Sequence, residues 1–317
     1  MKHKFALFLE LLILLLFVDY LQLKIPFLNN AVSESVSTDP CDNKENSTDE
    51  NLTEETISEN SAETLINPEG PTLEERILTP KGYYRQPVDA DSLTFFLRNY
   101  PMKIHGSPIL LYNGEPAKNQ TAHSAIFALP LESEDFQQCA DSVMRVYAEY
   151  YLSIRKPEKI AFHFTTGFLA EYSMWRDGYR IKADESDFCW VQSDGYDDSY
   201  QNFTKYMRMV FAYANTLSMD TYEAEPISLR ELRVGDVFLE GGSPGHVILV
   251  VDVCSDENGR RAFLLAQGHM PAQEFELMKN PAHENDPWYY EEEIVFPFDT
   301  SVHTFSEDSL QRLCYFP

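Results

Sequence analysis

Hydrophobic spacing divides this chain into an apolar start, a long polar stretch and a patterned remainder. Phe5–Val18 is apolar on every face, interrupted by Glu10 and ended by Asp19. From Ser33 to Arg76 there is no aromatic residue, and 13 acidic residues stand against 2 basic ones. Such a segment buries too little apolar surface to offset its ordering entropy, so it is expected to be a solvated tether. Patterned sequence begins near Ile77. Asp91–Asn99 is predicted helical, with Asp91 or Ser92 as cap and Leu93, Phe96 and Leu97 on one face. His123–Leu129 alternates as a strand does, and Lys159–Phe164 is a second short strand candidate. Glu134–Ile154 is the longest helical pattern, capped by Ser133, with Val143, Val146, Tyr147 and Tyr150 at helical spacing. Gly167–Gly178 carries Phe168, Tyr172 and Trp175. A further helix is predicted over Tyr200–Ala214, striped by Phe203, Tyr206, Met207, Val210 and Phe211.

The second half turns to strands. Asp236–Leu239, His246–Val253 and Arg261–Ala266 read as consecutive antiparallel strands, the last two joined by a turn whose Asn258-Gly259 supplies positive φ. A helix followed by a small antiparallel sheet makes an α+β domain. No internal repeat is visible.

At 317 residues, 44% of them hydrophobic, the chain can bury one large core or two small ones. Its formal net charge of −26 argues against nucleic acid or anionic lipid as partner. The basic Met-Lys-His-Lys start before a short apolar run suits an export signal, since a spanning helix needs roughly 20 apolar residues. Residues 1–32 are thus read as signal peptide or membrane anchor, 33–76 as tether and 77–317 as folded domain. The expected location is extracytoplasmic, with the membrane touched only through the N-terminal segment. A buried amphipathic helix is the plainer alternative for Phe5–Val18. The five cysteines (Cys41, Cys139, Cys189, Cys254, Cys314) are odd in number and form no CxxC pair, so no zinc site or full disulfide framework is expected. Cys41 as a lipid-bearing residue is an alternative, weakened by its distance from the apolar run. His269, His283 and His303 are scattered singly, Glu291–Glu293 reads as a solvated face, and neither metal nor cofactor is expected.

The most specific phrases are Gly235-Asp236-Val237-Phe238 and Gly241-Gly242-Ser243-Pro244-Gly245-His246 leading into Val247–Asp252. They resemble the histidine-bearing half of NlpC-type papain-like cell-wall peptidases, which implies a papain-like helix plus small sheet with an N-terminal α/β elaboration. By that resemblance His246 is the catalytic base and Gln267 the polar residue that orients it. The family's nucleophile is a cysteine at a helix start, where terminal amides lower the thiol pKa. Laid over Tyr206–Asn215, that helix brings the cysteine position onto Phe203, which cannot attack a carbonyl. Ser199 is an alternative nucleophile, though Ser before a helix is far more often a cap. Cys139 is another, set about a turn and a half inside its predicted helix. His246 could also be purely structural, hydrogen-bonded where a tight turn enters the sheet.

A wider set of phrases is similar to an exported bacterial family known as domain of unknown function 4846. They include Gln137-Gln138-Cys139-Ala140-Asp141, Phe164-Thr165-Thr166-Gly167, Phe211–Thr216, Met270-Pro271-Ala272-Gln273, and Lys279-Asn280-Pro281 before Pro287-Trp288-Tyr289. The resemblance runs from about Tyr83 to the C-terminus and implies export but no reaction. Gly268-His269 departs from the family's Ser-Tyr-like pair, so His269 is not a family site. Three functions follow as expectations. The first is a degenerate, non-catalytic module holding a peptidoglycan or glycan fragment in a cleft of His246, Gln267, Phe203, Tyr206 and Trp288. The second is a cysteine or serine hydrolase or amidase in which Cys139 or Ser199 faces His246. The third is a structural envelope component acting through protein partners.

Overall fold

The computed structural model describes residues 64–184 and 187–315. The predicted export segment and most of the predicted tether lie outside them. The folded part nevertheless starts earlier than composition suggested. Residues 64–76 are ordered, Ile66 bridges Ile77, and the short helix α1 (Leu73–Arg76), capped by Thr72, buries Leu73 completely. Two apolar residues in an acidic stretch suffice because Leu73 lies within the larger apolar cluster of the domain and Ile66 packs against it, which composition cannot reveal.

The helices that follow are α2 (Leu93–Arg98), α3 (Cys139–Ser153), α4 (Tyr172–Arg176), α5 (Tyr200–Tyr213) and α6 (Thr216–Tyr222). The strands are β1 (Tyr83–Tyr84), β2 (His123–Ile126), β3 (Ala161–His163), β4 (Leu169–Glu171), β5 (Tyr179–Asp184), β6 (Asp187–Gln192), β7 (Ala224–Pro226), β8 (Asp236–Glu240), β9 (His246–Asp256), β10 (Arg261–Gln267), β11 (Glu276–Met278), β12 (Tyr289–Tyr290), β13 (Phe298–Asp299), β14 (Thr304–Phe305) and β15 (Leu310–Leu313). A nine-stranded sheet runs β2-β11-β10-β9-β8-β15-β7, with β1 on the far end of β9 and β12 on the far end of β10. Every strand pairing among the described residues is antiparallel. The domain is therefore of mixed α+β class.

Strand β9 divides the core. Val247, Leu249 and Val251 join the larger apolar cluster with α3 and α5, while Ile248 and Val250 join a smaller one with Phe238, Phe263, Leu265 and Phe305. This is period-two alternation with both faces covered, so the strand is apolar throughout. At its far end Asp252 is fully buried and held by Arg85 at 2.6 Å and Arg98 at 2.8 Å, tying the N-terminal segment to the sheet.

Helix α3 corrects the expected start at Glu134. Its first residue is Cys139, its N-cap is Gln138, and the Gln138 backbone N–H donates to Asp141 Oδ2 at 3.0 Å. The preceding residues are drawn aside because Asp135 Oδ1 accepts from the Ala272 backbone N–H at 2.6 Å. A tertiary bond thus outweighs the local helix propensity of Glu134–Gln138. The thiol expected deep in the helix therefore stands at its first position.

Candidate functional site

Three segments meet at one end of the sheet: the start of α3, the start of β9 and the end of β10. The loop before β9 is seated on α6, and only glycine fits at 245, where a Cβ would come within 2.3 Å of Thr216 Oγ1. The chain then enters β9 at His246, opposite Glu240 on β8. Strand β10 ends at Gln267, and the next residue is again a glycine. A Cβ on Gly268 would lie 2.3 Å from Ser142 Oγ and 2.9 Å from the Gln138 carbonyl, so its absence lets the start of α3 settle against the strand end.

His246 is 7% exposed and Gln267 is fully buried. Imidazole Nε2 and Gln267 Oε1 lie 2.7 Å apart, and Gln267 Nε2 donates to Glu276 Oε1 at 2.6 Å. Nδ1 of His246 has no hydrogen-bond partner among the described residues. The His269 and His303 rings stand 5.7 and 5.4 Å from that of His246, and His303 Nε2 lies 3.0 Å from Glu240 Oε2. Burial pulls the His246 imidazole down to about 4, and its two histidine neighbours add to the effect against the opposing bond from Gln267. Among the described residues no set of three His, Cys, Asp or Glu side chains converges as metal ligands do.

The Cys139 thiol faces the backbone N–H groups of Val247, Ala140 and Cys139 itself. Strand N–H groups lie in the plane of their sheet. The thiol therefore lies near the backbone of the residue that follows His246, while by the alternation of β9 the His246 side chain shares the face of Ile248 and Val250, next to His303 and Phe305. Burial pushes this thiol up to about 11, helped by Asp141 and opposed by those N–H groups. No hydrogen bond joins Sγ to the imidazole among the described residues. At rest both groups are neutral near pH 7, so proton transfer between them has to accompany a reaction.

The other sequence candidates lie elsewhere. Phe203 is 1% exposed, packed edge-on to Tyr172, tilted against Tyr200, with the Arg145 guanidinium 5.4 Å from its ring centroid. Tyr206 is completely buried and donates to the Ala170 carbonyl at 2.7 Å. Trp288, also completely buried, donates to the Leu78 carbonyl at 2.9 Å beneath Arg85. Ser199 caps α5, accepting from the Asn202 N–H at 3.2 Å. None of these rings packs on His246 among the described contacts, because each belongs to the apolar cluster under α5 or under the sheet's far edge. Glu276 escaped the sequence reading. Its one signal was a carboxylate in the otherwise apolar register of a short buried strand, Glu276-Leu277-Met278.

No curated protein and no solved structure matches the chain. The family model described as Domain of unknown function (4846) matches residues 73–312, and so all of β8 to β15 except Leu313 and every site residue named above fall inside it. On that match, which spans well over half of the chain, this protein belongs to the domain of unknown function 4846 family.

Proposed function

We propose that the domain is a papain-like cysteine hydrolase acting on an amide bond, with Cys139 as nucleophile, His246 as base and Gln267 orienting the base. The observation that carries this reading is the His246 ring. Its Nε2 is tied to Gln267 and its Nδ1 is left without a partner among the described residues, and Cys139, the first residue of α3, has its thiol near the backbone N–H of the next strand residue, Val247. The imidazole must take the thiol proton while a third group fixes its tautomer. In the reaction the Sγ proton passes to His246 Nδ1 as sulfur bonds to the substrate carbonyl carbon. The N–H groups of Cys139 and Ala140 at the start of α3, which face the thiol at rest, offer donors for the oxygen that becomes negative. The C–N bond then breaks and the amine leaves with the proton from Nδ1. Water, deprotonated by the same nitrogen, releases the acid and restores the thiol.

The NlpC-type resemblance suggests a cell-wall peptide as substrate, and the apolar N-terminal run suggests an extracytoplasmic setting. The test is mass spectrometry of muropeptides incubated with the full chain. Gain of one water per cleaved bond is expected with the wild type and none with Cys139→Ala. No cleavage by either, with binding that persists in both, overturns the hydrolase. A second reading, retention of a peptidoglycan or glycan fragment without cleavage, is supported by the burial of Cys139 and the thiol's high pKa. It requires that binding weaken in His246→Ala.

A further inference from the structure

Glu276 is 2% exposed, sits opposite Gln267 in the β10–β11 ladder, and has one carboxyl oxygen without any hydrogen-bond partner among the described residues. A buried carboxyl left half satisfied is costly, and a glutamine would supply the same shape without the charge. What the carboxylate alone provides is direction. It offers only acceptors, so Gln267 must turn its amide nitrogen toward Glu276 and its oxygen toward His246. That oxygen in turn requires a proton on His246 Nε2, which leaves the lone pair on Nδ1. If Glu276 carried a proton, the flipped amide would be equally well bonded. Gln267 would then donate to Nε2, the imidazole proton would move to Nδ1, and Nδ1 could no longer take a proton from the thiol.

We propose that Glu276 is a positioning residue that sets the tautomer of His246 through the Gln267 amide, making the site competent only when Glu276 is ionised. This inference rests on the reading of His246 as a base. Burial pushes the Glu276 carboxyl up to about 7, against the opposing bond from Gln267, so the switch falls in an accessible range. The titratable groups around Glu276 are few. Tyr289 on β12 is close enough to sense its charge, and His246 lies beyond Gln267. On the neighbouring β2, His123 stands opposite Met278, and Lys103 is held by Glu274. Around His246 itself stand His269 and His303, the latter paired with Glu240.

The experiment reads the tautomer directly, by long-range nitrogen–proton NMR on the full chain labelled with 15N-histidine, with His246→Asn used to assign the signal. In the wild type the Nε2–H form is expected above pH 7, giving way to Nδ1–H as pH falls through about 7. Glu276→Gln, which keeps the shape, should show a mixture that does not change with pH. A pH-independent Nε2–H form in both proteins overturns the inference, whatever their activity. Where hydrolysis is measurable, Glu276→Gln should lower kcat by between about 10- and 10⁴-fold with KM nearly unchanged. The upper figure is the cost of a fully wrong tautomer in a Ser-His-Asp triad. The limb of the pH profile near 7 should vanish. Loss of stability without either change would mark Glu276 as merely structural. Failure of Cys139→Ala to abolish turnover would instead sink the hydrolase reading, leaving the NMR result to stand on its own.

Discussion

Helices α3 and α5 are alike in length, 15 and 14 residues, both are amphipathic, and both feed the same apolar cluster, but their N-termini are used differently. Helix α3 packs on β9 and β10, and its first residue is a cysteine against the strand that carries His246. Helix α5 packs on α3 and α4, and its start is closed by a serine cap and by Tyr200, whose hydroxyl donates to Glu149 and accepts from Arg145. At the start of α5 the Ser199 and Tyr200 hydroxyls are hydrogen-bonded, although Nη1 of the neighbouring Arg145 has no hydrogen-bond partner among the described residues. Around the start of α3, Gln137 Oε1, Asp141 Oδ1 and Ser142 Oγ are buried without hydrogen-bond partners among the described residues, as is Glu276 Oε2 at the end of the His246 chain. Buried polar groups left unmatched are where a fold gives up stability for chemistry. The contrast teaches that a helical stripe identifies a helix but not the use of its end.

The largest expected difference concerns turnover. Cys139→Ala should lower kcat by about 10⁴-fold or more, as removal of a nucleophile does, while leaving the folded state within about 1–2 kcal/mol. Phe203→Ala should do the reverse. Emptying an aromatic site in a closed core costs about 3–5 kcal/mol, read as a fall in denaturation midpoint, and Phe203→Leu should recover most of it with turnover intact. If Phe203→Leu abolished hydrolysis at unchanged stability, α5 rather than α3 would border the site.

The next effect is a pH dependence of stability in which two groups oppose each other. Glu276 rises from 4.5 to about 7 on folding, so the stability it lends is present below pH 4.5 and is lost as pH climbs to about 7. His246 falls from 6.5 to about 4, so its share is present above pH 6.5 and is lost as pH drops toward 4. Each step corresponds to roughly 3 kcal/mol by linkage. Between pH 4.5 and 6.5 their slopes offset in the wild type. Urea denaturation of Glu276→Gln should therefore show stability rising with pH more steeply than the wild type, and His246→Asn should show it falling. Identical slopes in all three proteins would mean that neither group titrates as its burial requires.

How much of this was legible in sequence follows the same division. Strands β8, β9 and β10 and the Asn258-Gly259 turn could be read because alternation and turn chemistry are local. Helix α5 was read almost to the residue because Ser199 is a strong cap before a clear stripe. The start of α3 was misread because Ser133 looks like a better cap than Gln138, and only the bond from Asp135 to Ala272, far along the chain, draws the intervening residues out of the helix. The hairpin β5–β6 and strands β7 and β15 escaped because short strands take their identity from partners. Leu310–Leu313 is a strand because β7 and β8 flank it. Within the site, His246 and Gln267 could be named from the motif, whereas Cys139 was displaced by five residues and Glu276 went unseen.

The smallest effect bears on the start of α5. Ser199 was a candidate nucleophile, and its Oγ accepts from the Asn202 N–H, which is the work of a cap. Asn202 is itself buried, donating to the Asp197 carbonyl and accepting from Trp175 Nε1 and Arg180, so the cap holds a residue that several others depend on. Ser199→Ala should therefore cost about 1 kcal/mol, the usual loss for a serine cap, and Ser199→Asp, which restores an acceptor, should return most of it. Neither substitution should change kcat, since the hydroxyl already has its donor and the imidazole belongs to the other helix end. A loss of turnover in Ser199→Ala with stability recovered by Ser199→Asp but activity not recovered would transfer the nucleophile from α3 to α5.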